Sequence, residues 1–180
     1  MKTSVHIGTS LDGFIARKDG NIDWLVKFEN QEVSNSYKEF MNTIDAVVIG
    51  RGTFKTVLTF PSWPYEKKVF LLSDSTKEIP EMLKEKVTLL SMKPRELLNF
   101  LSKEGFSNIY VDGGKVIQSF LQEDCIDEVI ITKVPVMIGS GIPLFGYLGN
   151  DLQFTHMRTI EFSNGLVKSQ YERRRESDRE

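Results

Sequence analysis

Two glycine clusters follow apolar runs in this chain, and each has the makings of a phosphate site. Asn108-Ile109-Tyr110-Val111-Asp112 leads into Gly113-Gly114, and a helical pattern follows. Glycines at a strand's carboxyl end let the backbone approach a ligand, and the next helix turns unpaired N–H groups toward it, which suits a phosphate. Two glycines also make an ordinary tight turn, so this cluster alone leaves both readings open. The second cluster, Gly50-Arg51-Gly52-Thr53, follows Ala46-Val47-Val48-Ile49. Thr53 can cap a helix or bind a phosphate oxygen, and Arg51 can grip one with two N–H groups or lie on a solvated loop. Two such ends on neighbouring strands are more telling than either alone. One can carry a pyrophosphate and the other the outlying phosphate of an NADP-type cofactor.

Three further groups have plainer alternatives. Ser73-Asp74-Ser75 offers hydroxyls to a phosphate, but reads equally as a turn closed by its own side chains. Ser10-Leu11-Asp12-Gly13, with Asp23-Trp24 beyond it, can roof a cleft and stack on a flat ring, or form a capped turn beside a core tryptophan. Gly139-Ser140-Gly141 allows an irregular loop that touches a cofactor or merely redirects the chain. The two histidines, His6 and His156, alternate with apolar neighbours and read as packing or surface residues. Cys125 precedes an apolar strand and reads as buried and inert.

What is missing narrows the chemistry. No His/Cys/Asp/Glu group has zinc or iron spacing, so no metal is expected. G-x-S-x-G, the Walker P-loop and G-x-G-x-x-G are all absent. Reactions carried by a diffusible cofactor need fewer special side chains and survive this filter. The net charge of −2 argues against a whole-surface nucleic-acid footprint. One cysteine excludes an internal disulfide framework. No apolar run approaches the roughly 20 residues of a membrane span, and the first residues lack the apolar core of a signal peptide. The expectation is a cytoplasmic protein with no membrane and no nucleic-acid partner.

The elements that must position these groups follow from periodicity. Strands are expected at 3–8, 46–49, 68–72, 87–90, 108–112 and 128–134. Helices are expected at about 31–43, 52–58, 94–103 and after Gly113, and a hairpin at about 154–172 around Ser163-Asn164-Gly165. Alternating strands and helices give an α/β fold, with helices on both faces of a mostly parallel central sheet and the hairpin at its edge. One domain spans 1–172, and 173–180 reads as a flexible charged tail.

Taken in order, Ser10–Ala16, Asp19–Trp24, Val48–Thr53, Val111–Gly114 and Gly141–Phe145 resemble signature blocks of the dihydrofolate reductase-like superfamily. The branch they resemble more closely is the reductase domain of bacterial riboflavin biosynthesis. The resemblance implies a three-layer fold with a sheet of about eight strands and NADPH across its carboxyl edge. It implies that Arg51, Ser73 and Ser75 bind the 2′-phosphate side, and that Thr53 with Gly50, Asp112, Gly113 and Gly114 holds the diphosphate. Ser10, Asp12 and Gly13 would lie near the nicotinamide and a heterocyclic small-molecule substrate, and a homodimer is implied. Asp12 or Asp23 would then supply the proton that accompanies hydride transfer, while Trp24 stacks or excludes water. Dihydrofolate reductases place an acidic residue on the helix after the active-site tryptophan. Glu29 is the candidate here by spacing, although the segment 27–36 departs from the pattern. The alternatives are dihydrofolate reductase proper and a non-catalytic NADP-binding module.

Overall fold

The computed structural model describes residues 1–175. In chain order the elements are β1 (Lys2–Thr9), β2 (Phe14–Ala16), α1 (Asp23–Val26), α2 (Gln31–Asn42), β3 (Ala46–Gly50), α3 (Arg51–Val57), β4 (Lys68–Leu72), β5 (Val87–Leu90), α4 (Pro94–Lys103), β6 (Asn108–Asp112), α5 (Gly114–Gln122), β7 (Glu128–Lys133), β8 (Ile142–Pro143), β9 (Phe154–Glu161) and β10 (Val167–Arg173). Eight strands form one sheet in the order β5-β4-β3-β6-β1-β7-β10-β9, and β2 pairs with β8 apart from it. Every neighbour from β5 to β7 is parallel, whereas β10 runs antiparallel to both β7 and β9.

Ala46 to Ile49 are all fully buried, as a continuous apolar strand between two helical layers must be. On one face, Val48, Phe70 and Val111 pack under Leu97 and Leu101 of α4 and under Val116, Ile117 and Phe120 of α5. On the other, Val47, Ile49, Val69 and Leu71 pack under Phe54 and Val57 of α3 and Tyr37, Phe40 and Met41 of α2. Truncating a side chain as enclosed as Leu71 to alanine costs about 2–5 kcal/mol. Pro94 sits in the first turn of α4, where its missing N–H has no partner to lose.

The two helical layers create the opening. β3 leads through α3 to β4 on one face, while β6 leads through α5 to β7 on the other. β3 and β6 are themselves neighbours, with Ile49 opposite Asp112. Adjacent strands whose connections leave in opposite directions part at their carboxyl ends, and open α/β sheets bind ligands there.

The sequence reading missed three features: the single turn of α1, the two-residue β8 and a 3₁₀ turn at Glu81–Leu83. Arg173, expected to begin a flexible tail, instead ends β10. Its guanidinium holds Asp124 at 2.7 and 3.1 Å, and Arg175 reaches Asp127 at 2.6 Å. The rest of that expected tail, 176–180, lies outside the described residues.

Candidate active site

Gly50 and Gly113 end β3 and β6 side by side, and neither position has room for a side chain. A Cβ on Gly113 would lie 2.2 Å from Thr53 Oγ1, and the residue's φ of +100° is in the region that glycine tolerates. A Cβ on Gly50 would lie 2.7 Å from Val116 Cγ2. The starts of α3 and α5 therefore meet over bare backbone. Gly50 and Gly113 are also the cap residues of those helices, and neither start has a side-chain cap. The first N–H groups of both helices thus lack a side-chain cap, with the Thr53 hydroxyl lying close against Gly113. Arg51, beside them, is exposed and makes no hydrogen bond or ion pair among the described residues.

The expected serines behave differently. Ser73 Oγ accepts the N–H groups of Ser75 at 3.3 Å and Thr76 at 3.0 Å and the Thr76 hydroxyl at 2.8 Å, so it closes the turn after β4. Asp74 takes the Ser91 hydroxyl, which fastens that turn to the end of β5.

At the end of β1 a carboxylate stitches two loops together. Ser10 Oγ donates to Asp12 Oδ1 at 2.6 Å, and Asp12 accepts the N–H groups of Gly139 at 2.7 Å and Ile138 at 3.3 Å. The Ser10 hydroxyl, with those N–H groups, holds the Asp12 carboxyl below the usual range. Leu144 N–H donates to Gly13 O at 3.1 Å and Leu11 N–H to Val136 O at 2.8 Å, completing the seam. Asp23 is turned onto Arg17, which donates from Nε at 2.6 Å and Nη2 at 3.2 Å and lowers its pKa. Trp24 is 2% exposed and packs with Val134, Phe162 and Leu166. Glu29 is exposed, at 3.5 Å from the Ser34 hydroxyl, and Glu32 accepts from the N–H and hydroxyl of Ser163. The inward side of α2 carries Val33, Tyr37, Phe40 and Met41 and no carboxylate.

A carboxyl does stand at the opening, on the α2/α3 face, and it comes from β6. Asp112 Oδ2 accepts the Tyr65 hydroxyl at 2.9 Å. Burial pushes the Asp112 carboxyl above its ordinary range, against the opposing pull of that hydrogen bond and the Gly113 N–H. Burial, then the nearby Asp112, drives Tyr37, Tyr65 and Tyr110 upward, so all three hydroxyls stay protonated at neutral pH. Tyr110 Oη donates to His6 O at 2.9 Å, and the His6 ring stacks on Phe40 at 4.7 Å. Burial lowers the His6 pKa to about 4, helped by the charge of Lys168. Sequence reasoning missed the tyrosines. Tyr37 shows only as a member of an amphipathic stripe, and Tyr65 lies in an irregular segment without a period.

Residues 62–168 match the model of the RibD C-terminal domain. A crystal structure from Shewanella sp. PV-4 is 41% identical, covering 97% of this chain and 100% of that one, with a TM-score of 0.92. The diaminohydroxyphosphoribosylaminopyrimidine deaminase/5-amino-6-(5-phosphoribosylamino)uracil reductase of Thermotoga maritima is 18% identical with a TM-score of 0.77. That likeness covers 96% of this chain and 56% of the longer protein. Dihydrofolate reductase from Enterococcus faecalis, in a complex with NADP(H), is 14% identical with a TM-score of 0.68, covering 97% of both chains. The fold is thus dihydrofolate reductase-like, and the chain belongs to the RibD C-terminal domain family.

Proposed function

We propose that this chain is an NADPH-dependent reductase that delivers hydride to a flat, amino-bearing heterocycle of the pyrimidine or pteridine kind. The observation that carries the reading is the meeting of two uncapped helix starts over Gly50 and Gly113, since a dinucleotide brings phosphate oxygens that accept from such N–H groups. A side chain at either glycine would displace Thr53 or Val116 at these helix starts, and their uncapped N–H groups suit the coenzyme's diphosphate. Thr53 Oγ1 adds a hydroxyl, and Arg51 is free to meet a 2′-phosphate. NADP(H) in the Enterococcus complex and the reductase activity in the Thermotoga protein's name support the same class.

When bound, the coenzyme supplies hydride. The chain's own task is to orient the acceptor ring, exclude water and hold the accompanying proton. Asp112 suits the last role better than Asp12 or Asp23. A proton donor works best with a pKa raised toward neutrality, and the two expected aspartates are shifted the other way by Ser10 and Arg17. Asp12 is better assigned to shaping the Gly139–Gly141 loop. Dihydrofolate as substrate is the weaker reading, because α2 turns Tyr37 and Phe40 inward where that reading needs a carboxylate.

The test is calorimetric titration with NADPH, followed by coenzyme oxidation with aminopyrimidine and dihydropterin substrates. Saturable binding with turnover is expected. Binding without turnover of any such compound leaves a nucleotide-binding module, and absence of binding ends the reading altogether.

A further inference from the structure

Helix α2 is held differently from the helices around it. Phe54 and Val57 of α3, Leu97 and Leu101 of α4, and Ile117 and Phe120 of α5 are buried, whereas none of the twelve residues of α2 is. Val33 joins the Trp24 cluster at the first turn, and beyond it the inward Tyr37, Phe40 and Met41 lie against the sheet but stay partly open to solvent. The polar contacts that fasten the helix come from the β9–β10 hairpin. Glu32 accepts the N–H and hydroxyl of Ser163 at 3.0 and 2.8 Å, Asn164 Nδ2 donates to Phe28 O just ahead of the helix, and Lys168 Nζ donates to Ser36 Oγ. Past the last turn, Ile44 is buried and pins the chain again. Under the middle of the helix, the His6 ring stacks on Phe40 at 4.7 Å and meets Tyr37 edge-on at 5.6 Å, while Phe40 stands edge-on to Tyr110 at 5.2 Å. The buried His6 Nε2 has no hydrogen-bond partner among the described residues.

We infer that α2 is the movable wall of the opening: gripped at its first turn and pinned past its last, it opens locally between those points, uncovers His6 and Tyr110, and closes again over a bound ring. Few buried apolar contacts set a low free energy for local opening, because little apolar surface is lost to water when such a segment lifts. An unpaired polar atom in the closed position counts against that position, since lifting the helix lets water reach it. The closing step rests on the reductase reading, whereas the opening rests on burial and hydrogen bonding alone. The grip lies on the hairpin side of α2, away from the glycine-ended strands, so loosening it leaves the α3 and α5 starts in place.

The test is hydrogen exchange read by mass spectrometry on the intact chain. Amides at 35–42 are expected to exchange about tenfold or more faster than those of α4 and α5, whose buried faces tie them to the core. Ser163→Ala removes one of the two donors to Glu32 and leaves the helix's own sequence intact. It should raise exchange at 35–42 by a further factor of about two to ten, the scale of one hydrogen bond, while α4 and α5 keep their rates. Saturating NADP⁺ together with 5-amino-6-ribosylaminouracil should slow the same amides. Exchange at 35–42 as slow as in α4 and α5 overturns the inference. So does a Ser163→Ala effect that is absent or shared equally by all three helices. Binding of both compounds with no slowing at 35–42 overturns the closing step. Failure of NADP⁺ to bind removes the reductase reading and the closing step with it, and the contrast among the helices then decides the opening by itself.

Discussion

The β3–β6 corner and the β1 corner lie on one sheet edge but use their backbones in opposite ways. At β3–β6 the strands end in glycines and the helix starts lack side-chain caps, so the first N–H groups of α3 and α5 have no capping oxygen. At β1 a side chain consumes them: Asp12 takes the N–H groups of Ile138 and Gly139, and Ser10 takes that of Phe14. The first corner is open for an anion to complete, whereas the second is complete by itself. A carboxylate in a motif is therefore ambiguous until its partners are known. Asp12 is spent on loop geometry, while Asp112, expected from the resemblance among the diphosphate-binding residues, keeps a raised pKa at the end of β6.

The sharpest test exchanges Asp112 for asparagine, which keeps the shape and removes the proton. Hydride transfer is expected to fall by about 10²–10⁴-fold, with NADPH affinity little altered. Tyr65→Phe should shift the alkaline limb of the pH–rate profile to higher pH, since the Tyr65 hydrogen bond lowers the Asp112 pKa. An unchanged rate in Asp112→Asn would return the proton to another group and dissolve the contrast between the two aspartates.

Gly113→Val attacks the open corner directly. The new Cβ collides with Thr53 Oγ1, and the positive φ adds about 1–2 kcal/mol of strain. Displacing the helix starts should weaken coenzyme binding by about tenfold or more, the scale of one lost hydrogen bond to a charged group. Calorimetry reads the loss, and circular dichroism checks that the sheet still forms. Affinity within a few-fold of the parent would show that the phosphates lie elsewhere.

These two corners also explain what the sequence made legible. Strands β4, β5 and β6 and helix α4 match expectation residue for residue, because their apolar periods are read from neighbours along the chain. The glycine clusters were legible for the same reason, since a strand, a glycine and a helix are consecutive. The setting of the Asp112 carboxyl was not, because its hydroxyl partner, Tyr65, lies 47 residues away in sequence. Nor was the use of Asp12, whose N–H partners come from 126 and 127 residues downstream. Arg173 read as tail because its aspartate partner, Asp124, is set beside it only when β10 pairs with β7.

His6 gives a smaller effect, on stability rather than turnover. Its pKa falls from 6.5 to about 4 on folding, so the unfolded chain takes up a proton that the folded one refuses. Stability therefore rises with pH between about 4 and 6.5 and is lost as acid is added, by up to about 3 kcal/mol from this residue. Phe40 and Tyr37 enclose the ring, Lys168 disfavours its charge and Glu128 weakly favours it. Urea midpoints across that window should show a shallower slope in His6→Phe. An identical slope would mean that the ring is reached by water in the folded state.

The smallest expected change is in coenzyme choice. Arg51 is exposed, so whatever it contributes to a 2′-phosphate is screened by solvent and salt. Arg51→Ala should reduce the preference for NADPH over NADH by about tenfold, within the range for one charge-assisted hydrogen bond, and the reduction should shrink as salt is added. Affinity for NADH should hardly move, because the diphosphate would still rest on the α3 and α5 starts. If both coenzymes weaken equally, Arg51 touches the diphosphate instead. If neither changes, the open corner binds through backbone and Thr53 alone, which would carry the contrast with the side-chain-rich β1 corner further than the geometry requires.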